Sequence, residues 1–223
     1  MAITFINSSG APETFSGGSN TLTWSHDITA GNCVVVCTRA ANDLTNPPTI
    51  ADSYGNTSYG TIISGSINDG LCIFATIASF GGTGGTITAT FPSTAQFVAA
   101  ISLQYSGVDN PPAQNGAFVN NSGGPTTLFN FYNNPSGEPT DGVWIGFGFN
   151  TSGSVMDTDT GDGWALKQAA GKFIGEDQFV LANTGVILNG SASGASNNFV
   201  MGITLLTPGA APSPFILMPQ ICL

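Results

Sequence analysis

Three carboxylates lie close together in one glycine-containing segment, D-T-D-T-G-D-G at positions 157–163. Asp157, Asp159 and Asp162 offer the oxygen ligands that a hard cation such as Ca²⁺ prefers. The spacing differs from that of an EF-hand loop, because the third Asp falls one position late and no Glu closes the loop. The alternative is a polar β-turn without a ligand. We expect no cofactor. Calcium is the one metal that this loop suits, and Asp141 or Asp177 could be a further ligand.

Side chains for hydrolysis are present but poorly arranged. His26 is the only histidine, so a Ser-His-Asp triad would depend on it. The G-S-A-S-G segment at 190–194 has the letters of a nucleophile elbow, but no helical sequence follows it. Paired carboxylates for glycoside cleavage could come from Glu13, Glu138 and Glu176, although each stands in a turn-like context. We therefore predict that the protein is not an enzyme.

Three tryptophans, Trp24, Trp144 and Trp164, could stack on sugar rings. In a β-sandwich, tryptophan more often lies in the core or in an interface, because it buries a large apolar area. Trp164 follows a G-D-G turn and is the one that we expect at the surface. A carbohydrate-binding site is thus the alternative to a core role.

The cysteines form neither a disulfide nor a zinc pattern. Cys33 and Cys37 are four residues apart, which on a strand places them on one face about 13 Å apart, too far for a disulfide. A single histidine and this spacing argue against zinc. We predict that Cys33, Cys37 and Cys72 are small buried hydrophobic residues.

Charge is scarce in this chain, with 3 Lys and Arg and 13 Asp and Glu among 223 residues, a net charge of −10. This balance repels phosphate backbones and anionic membranes, so we predict no nucleic-acid partner and no membrane partner. A hydrophobic fraction of 41% is typical of a folded protein. A surface with few charges packs easily against many copies of a partner, because few charges need desolvation.

Short β-branched and aromatic runs alternate with turn-forming clusters, and no segment has a capped helical period. This pattern predicts an all-β protein, a two-sheet antiparallel β-sandwich that is jelly-roll-like. In the strand predicted at 143–149, bulky and small residues alternate, so one face should line the core and the other should admit a close neighbour. We expect strands at 3–6, 21–25, 33–39, 58–64, 71–78, 85–91, 97–105, 117–120, 127–132, 143–149, 164–169, 173–181, 185–191 and 199–206.

We predict one β-sandwich domain over residues 1–207, since the strands before and after the N-P-P-A segment at 110–113 look alike. Residues 208–223 form a Pro-rich apolar C-terminal arm, in which four prolines forbid a regular strand or helix. An apolar arm is costly in water, so it should dock on its own domain or, as we favour, on an adjacent subunit. The predicted interface residues are Pro214, Phe215, Ile216, Leu217, Met218 and Ile221.

Several segments, taken in order, resemble one family. T-I-A-D-S-Y-G-N-T-S-Y at 49–59 is similar to a V-x-D-S-x-G-N-x-Y signature, and S-L-Q-Y-S-G-V-D-N-P at 102–111 to an E-Y-S-G-V-D-x-x-x-P signature. G-T-I-T-A-T-F at 85–91 resembles the N-T-V-T-V-T-F strand of that family, and I-T-A-G-N-C-V-V-V at 28–36 its V-x-A-G-N-x-L-V-V strand. The family is a β-sandwich module of phage virion proteins and bacterial surface proteins.

The resemblance implies a sandwich fold with a structural or attachment role, and it brings no catalytic set. Gln104 departs from the pattern, since the family has Glu there. The D-S-Y-G-N segment itself indicates a tight connection: Asp52 and Ser53 can accept hydrogen bonds from backbone amides, and Gly55 permits a positive φ.

These observations together predict a virion structural protein, a capsid decoration or cement protein that clamps neighbouring capsid subunits. Its partners would be the major capsid protein and copies of itself. It would be assembled into the virion in the host cytoplasm, since the first residues lack the basic and apolar regions of a signal peptide. The alternative is a tail-fibre or cell-surface attachment module that binds glycans.

Overall fold

A computed structural model gives the fold of this chain. It describes residues 2–14, 20–41, 47–64, 69–91, 96–108, 116–121, 126–133, 142–150, 156–158, 164–180, 186–196 and 199–208. Within these ranges the regular structure is antiparallel β-strand, and none of it is helix. The prediction of an all-β antiparallel protein is therefore confirmed.

The described residues form sixteen strands, numbered β1 to β16 in chain order. The sequence predicts fourteen of them, and β2 and β16 have the predicted bounds. It misses β4 and β12, which are only four and three residues long. The bounds are Thr4–Thr14, Thr21–Ser25, Cys33–Ala41, Thr49–Asp52, Gly60–Ser64, Asp69–Ile77, Thr86–Thr90, Gln96–Ser106, Gly116–Asn121, Thr126–Asn133, Gly142–Asn150, Met156–Thr158, Ala165–Ala170, Phe173–Val180, Val186–Ser196 and Phe199–Leu206.

The strands form four sheets. Sheet I has the order β1-β8-β3-β6-β5 and sheet II the order β2-β7-β4, whereas sheet III has the order β13-β14-β11-β16-β9 and sheet IV the order β10-β15-β12. Sheets I and II contain only β1 to β8, which we call unit 1, and sheets III and IV contain only β9 to β16, unit 2. The chain therefore passes from one pair of sheets to the other between Ser106 and Gly116.

The two units are connected in the same way. In unit 1, β1 pairs with β8, β2 with β7, β3 with both β6 and β8, β4 with β7, and β5 with β6. Adding eight to each number gives the pairs of unit 2. Pairing of first with last, second with seventh and third with sixth strand is the jelly-roll arrangement. The predicted jelly-roll-like β-sandwich is confirmed. The predicted number of two sheets is wrong, because the topology occurs twice and the described strands form four sheets.

The two five-stranded sheets pack face to face, which gives four layers in the order II, I, III, IV. β1 contacts β13 and β5 contacts β9, while β8 contacts β14 and β6 contacts β16. The first strand of each unit thus contacts the fifth strand of the other unit. Likewise, the sixth strand of each unit contacts the eighth strand of the other. Such a reciprocal arrangement is that of an isologous, two-fold dimer, here built from one chain.

The larger hydrophobic core lies between sheets I and III and contains Cys33, Val35 and Cys37 of β3. Successive side chains of a strand point to opposite faces, so Val34 and Val36 belong to a second core between sheets I and II. Cys33, Cys37 and Cys72 are buried and unbridged, as predicted. Burial raises the pKa of Cys33 to about 12, which suppresses the reactive thiolate.

The alternation in β11 is confirmed on both faces. Val143, Ile145, Phe147 and Phe149 are fully buried in the core between sheets I and III. The close neighbour expected on the other face is a further sheet of the same chain, since β11 also contacts β15 of sheet IV. Trp144 points to that side and is only 2% exposed.

Sheet I of unit 1 packs against sheet III of unit 2. The prediction of a single domain over residues 1–207 stays a prediction. Of the predicted arm, 208–223, only Pro208 is among the described residues. Its expected interface residues Pro214, Phe215, Ile216, Leu217, Met218 and Ile221 lie outside them, so the arm's docking also stays a prediction.

Candidate functional site

A serine and the single histidine meet inside unit 1. Ser102 of β8 lies with its Oγ 2.9 Å from Nδ1 of His26, which directly follows β2. The indole Nε1 of Trp24 donates a second hydrogen bond of 2.9 Å to the same Oγ. The three side chains are 0%, 3% and 5% exposed and connect sheet I to sheet II. Desolvation lowers the pKa of His26 to about 4, although Asp27 and Asp52 act in the opposite direction.

This pair has the contact of a nucleophile with its base, but it stands inside the fold. A carbonyl substrate would have to reach an Oγ that is fully covered and already accepts a hydrogen bond from Trp24. The neutral imidazole leaves His26 Nε2 buried without a hydrogen-bond partner among the described residues. The Ser102–His26 pair is therefore a structural network that joins two sheets.

The tight connection predicted after β4 is confirmed. The carboxylate of Asp52 accepts hydrogen bonds of 3.0 Å from the backbone N–H groups of Tyr54 and Asn56, and a further one of 2.8 Å from the Tyr59 hydroxyl. Gly55 has a φ of 99°, which a side chain would disfavour. All these groups satisfy one another, so the D-S-Y-G-N signature has a structural explanation.

A second polar cluster lies in the interface between the units. The Tyr105 hydroxyl of β8 donates a hydrogen bond of 3.0 Å to Asp177 of β14, and Lys167 of β13 lies 3.2 Å from the same carboxylate. Desolvation raises the pKa of Asp177, against the lowering influence of Lys167 and Tyr105. Asp177, proposed as a further calcium ligand, therefore serves as the buried partner of a lysine and a tyrosine.

Two of the three basic side chains cross this interface in opposite directions. The Arg39 guanidinium of unit 1 lies 4.2 Å from the ring centroid of Phe149 in unit 2. The Lys167 ammonium of unit 2 lies 4.8 Å from the ring centroid of Phe5 in unit 1. Cations over aromatic faces are attracted by the ring quadrupole. Positive charge is thus used to join the two units.

The outer face of sheet II carries hydroxyl groups in register. Leu22 and Trp24 of β2 and Ile87 and Ala89 of β7 point into the core, so the alternate residues point outward. Thr23 and Thr88 are direct partners, with their hydroxyls 2.9 Å apart. We call the outward-pointing residues of sheet II the hydroxyl face. None of them is charged, and all but one carry a hydroxyl group: Thr21, Thr23, Ser25, Thr86, Thr88, Thr90, Thr49 and Ala51.

A groove of about 190 Å³ opens beside the Asp52 loop, and we call it the Phe80 groove. Phe80 lines one side of the groove and is 59% exposed, and none of the lining residues has an ionisable side chain. The side chain of Asn56 holds the backbone of Phe80, donating 2.9 Å to its carbonyl and accepting 3.1 Å from its N–H. The groove therefore presents an aromatic residue, on a hydrogen-bonded backbone, next to polar groups.

The expected surface position of Trp164 is wrong. Trp164 is 3% exposed, and Trp24 and Trp144 are 5% and 2% exposed. Trp24 packs in the core between sheets I and II, and Trp144 lies on the face of β11 that is turned towards sheet IV. Among the described residues, the exposed aromatic side chains are Phe80, at 59%, and Phe97, at 42%. No local sequence pattern singles out Phe80 except its position before a run of glycines.

The structure describes only part of the predicted calcium site. Asp157 belongs to β12, but its side chain, like Asp159 and Asp162, lies outside the described residues. Among the residues that are described, no three His, Cys, Asp or Glu side chains come together as a metal site would require. Of the carboxylates considered for glycoside cleavage, Glu176 is fully buried in β14. The calcium site stays a prediction.

Comparison with known proteins gives no relative. No protein-family model matches this chain, and no curated protein or solved structure matches it significantly. The resemblance to the phage and surface module therefore stays an expectation. Within the described ranges, no helix has the length and apolar character needed to cross a membrane.

Proposed function

We propose that this protein is a structural component of a virus particle, a capsid decoration or cement protein that binds the major capsid protein and further copies of itself. Eight-stranded jelly rolls build viral capsid proteins and also lectins, so the fold is compatible with this role without selecting it. The proposal depends on the surface that the fold presents.

The hydroxyl face is the observation that carries the proposal. Docking a charged face onto a protein shell requires desolvation of charged side chains, which costs free energy. Burial of hydrogen-bonded hydroxyl groups and of methyl groups costs much less. The face is built on a sheet whose inner side is a packed core, so it is rigid before it binds. A rigid, uncharged face suits repeated docking on many equivalent subunits.

The C-terminal arm would complete the attachment. Burial of Phe215, Ile216, Leu217 and Ile221 on a neighbouring subunit would contribute roughly 6–12 kcal/mol before ordering costs. In this proposal the double jelly roll covers a junction between subunits, and the arm extends to the next one.

Rebinding to particles tests this function. Particles purified from the source of the gene and depleted of the protein are mixed with the full chain or with a chain ending at residue 207, and the sedimented fraction is measured. The full chain should bind, and the shortened chain should bind on the order of 100-fold more weakly while its circular dichroism is unchanged. Equal binding would reject the arm, and no binding by either chain would reject the particle role.

A second candidate is an attachment module that binds glycans. The Phe80 groove favours it, because an exposed aromatic residue beside hydroxyl groups is suited to a sugar ring. Binding of particles without any dependence on sugars separates the cement role from this one.

A further inference from the structure

We infer that the Phe80 groove is a carbohydrate subsite that takes one ring of a neutral glycan. The inference goes beyond the proposed particle role, since a protein on a particle surface could carry such a subsite or lack it. It is argued from the groove alone.

The backbone that carries the aromatic residue of the subsite is held by hydrogen bonds within the protein. The Asn56 side chain bonds to both the N–H and the carbonyl of Phe80, and it accepts a further hydrogen bond of 2.8 Å from the N–H of Ser79. Asn56 is itself held by Asp52, through a hydrogen bond of 2.9 Å from Nδ2. An exposed phenylalanine on a clamped backbone costs little entropy on binding. Phe80 is 59% exposed, so its ring is available to pack against the apolar face of a ligand.

The polar side of the subsite offers unused hydroxyl groups. Thr57, Ser58 and Ser79 are exposed, and their side chains make no hydrogen bond within the described part of the chain. A hydroxyl both donates and accepts, so it matches the hydroxyls of a sugar in either direction. A sugar ring also has an apolar C–H face, which is the surface that an aromatic ring covers.

Charge and size limit the ligand further. The groove has no ionisable lining residue, and the chain carries a net charge of −10. An anionic sugar would be repelled and would find no cation, so the ligand is neutral. A volume of about 190 Å³ is below the roughly 300 Å³ at which pockets for drug-sized ligands begin, which suits a single ring.

Phenylalanine variants test the subsite on the purified full-length protein. A panel of neutral oligosaccharides is screened on an array, and glucose, galactose, mannose and N-acetylglucosamine are titrated while the amide resonances of Ser79, Phe80 and Gly81 are followed. We expect saturable shifts with a Kd of about 1 mM for at least one sugar. Phe80→Ala should weaken that binding about tenfold, and Phe80→Tyr should retain it.

The matched control is Phe97→Ala, which also removes an exposed aromatic side chain. Phe97 is 42% exposed and belongs to the opposite end of sheet I, on the order of 25 Å away along β3. This variant should bind sugars like the wild type. The inference is overturned if no neutral sugar shifts these amides or if Phe80→Ala binds as well as the wild type. It is also overturned if Phe80→Ala loses particle binding while sugars have no effect, since the residue then contacts protein.

Discussion

His26 is buried as a neutral imidazole, and this makes the fold sensitive to mild acid. Its pKa of about 4 in the folded protein lies below the roughly 6.5 of an unfolded chain. Between these values the unfolded state binds a proton that the folded state does not, so stability falls as the pH falls through this window. Asp27 and Asp52 raise the pKa but do not offset the burial.

Urea unfolding at two pH values measures this contribution. The wild type should lose about 2 kcal/mol more than His26→Gln when the pH is lowered from 7 to 5, because the glutamine does not titrate. Other titrating groups contribute equally to both proteins and cancel. The same pH dependence in both proteins would mean that the pKa of His26 is the same in the folded and unfolded states, which would contradict this account.

Gly85 is required by the ring of Tyr54. A Cβ at this position would overlap the Tyr54 ring, and the Gly85 N–H donates a hydrogen bond of 2.8 Å to the Tyr54 hydroxyl. Gly85→Ala should therefore lower the free energy of unfolding by about 2 kcal/mol. Gly60→Ala is the control, since its Cβ would meet only the Ala75 carbonyl oxygen at 3.8 Å. Equal thermal midpoints for the two variants would show that the ring is not held as described.

At the residue scale, sequence reasoning identifies contacts between near neighbours. The Asp52 loop is predictable because its donors and acceptors lie within seven residues, as the bond from Tyr59 shows. Ser102 and His26 are 76 positions apart, and Tyr105 and Asp177 are 72 apart. No spacing in the chain indicates such a pair, because the sheet packing alone brings it together.

At the scale of strands and sheets, the Asp177 carboxylate is a buried charge in the interface between the units, and Lys167 is its cation. Lys167→Met should lower the free energy of unfolding by about 2 kcal/mol, since it leaves the Asp177 carboxylate buried without its cation. Adding Asp177→Asn should restore part of this stability, because the charge is removed while the Tyr105 hydroxyl keeps an acceptor. A double variant less stable than Lys167→Met would contradict this account. Denaturant unfolding of both variants gives the comparison.

The hydroxyl face provides a second test at this scale. Thr88→Lys places a charge at the middle of the face, which would have to be desolvated on docking. Under the proposed function, particle binding should fall at least tenfold while the protein stays folded. Thr61→Lys on the exposed edge strand β5 is the control and should bind normally. Loss of binding by both variants would show an effect of net charge and not of the face.

Strand positions are predictable here because each strand carries its own period-two pattern between turn residues. The number of sheets is not predictable in this way. Val143, Ile145, Phe147 and Phe149 reveal one buried face, whereas the burial of Trp144 on the other face depends on a sheet contributed by distant strands. Short strands such as β12 acquire their pairing from β15 and have little pattern of their own.

At the scale of the whole molecule, the chain is a two-fold arrangement of two jelly rolls, and the sequence gives little sign of it. The core faces of equivalent strands differ in size: β3 contributes Cys33, Val35 and Cys37, whereas β11 contributes bulky residues such as Phe147 and Phe149. Complementary packing needs small residues on one side where the other side is large. The repeat is therefore preserved in connectivity and not in residue type.

We propose that this double jelly roll is a component of a virus particle, and its copy number per particle tests this proposal most directly. Quantitative mass spectrometry of particles purified from the source of the gene should find hundreds of copies per particle, in a fixed ratio to the major capsid protein. A handful of copies would indicate a tail or attachment position. Absence of the protein from purified particles would contradict the account.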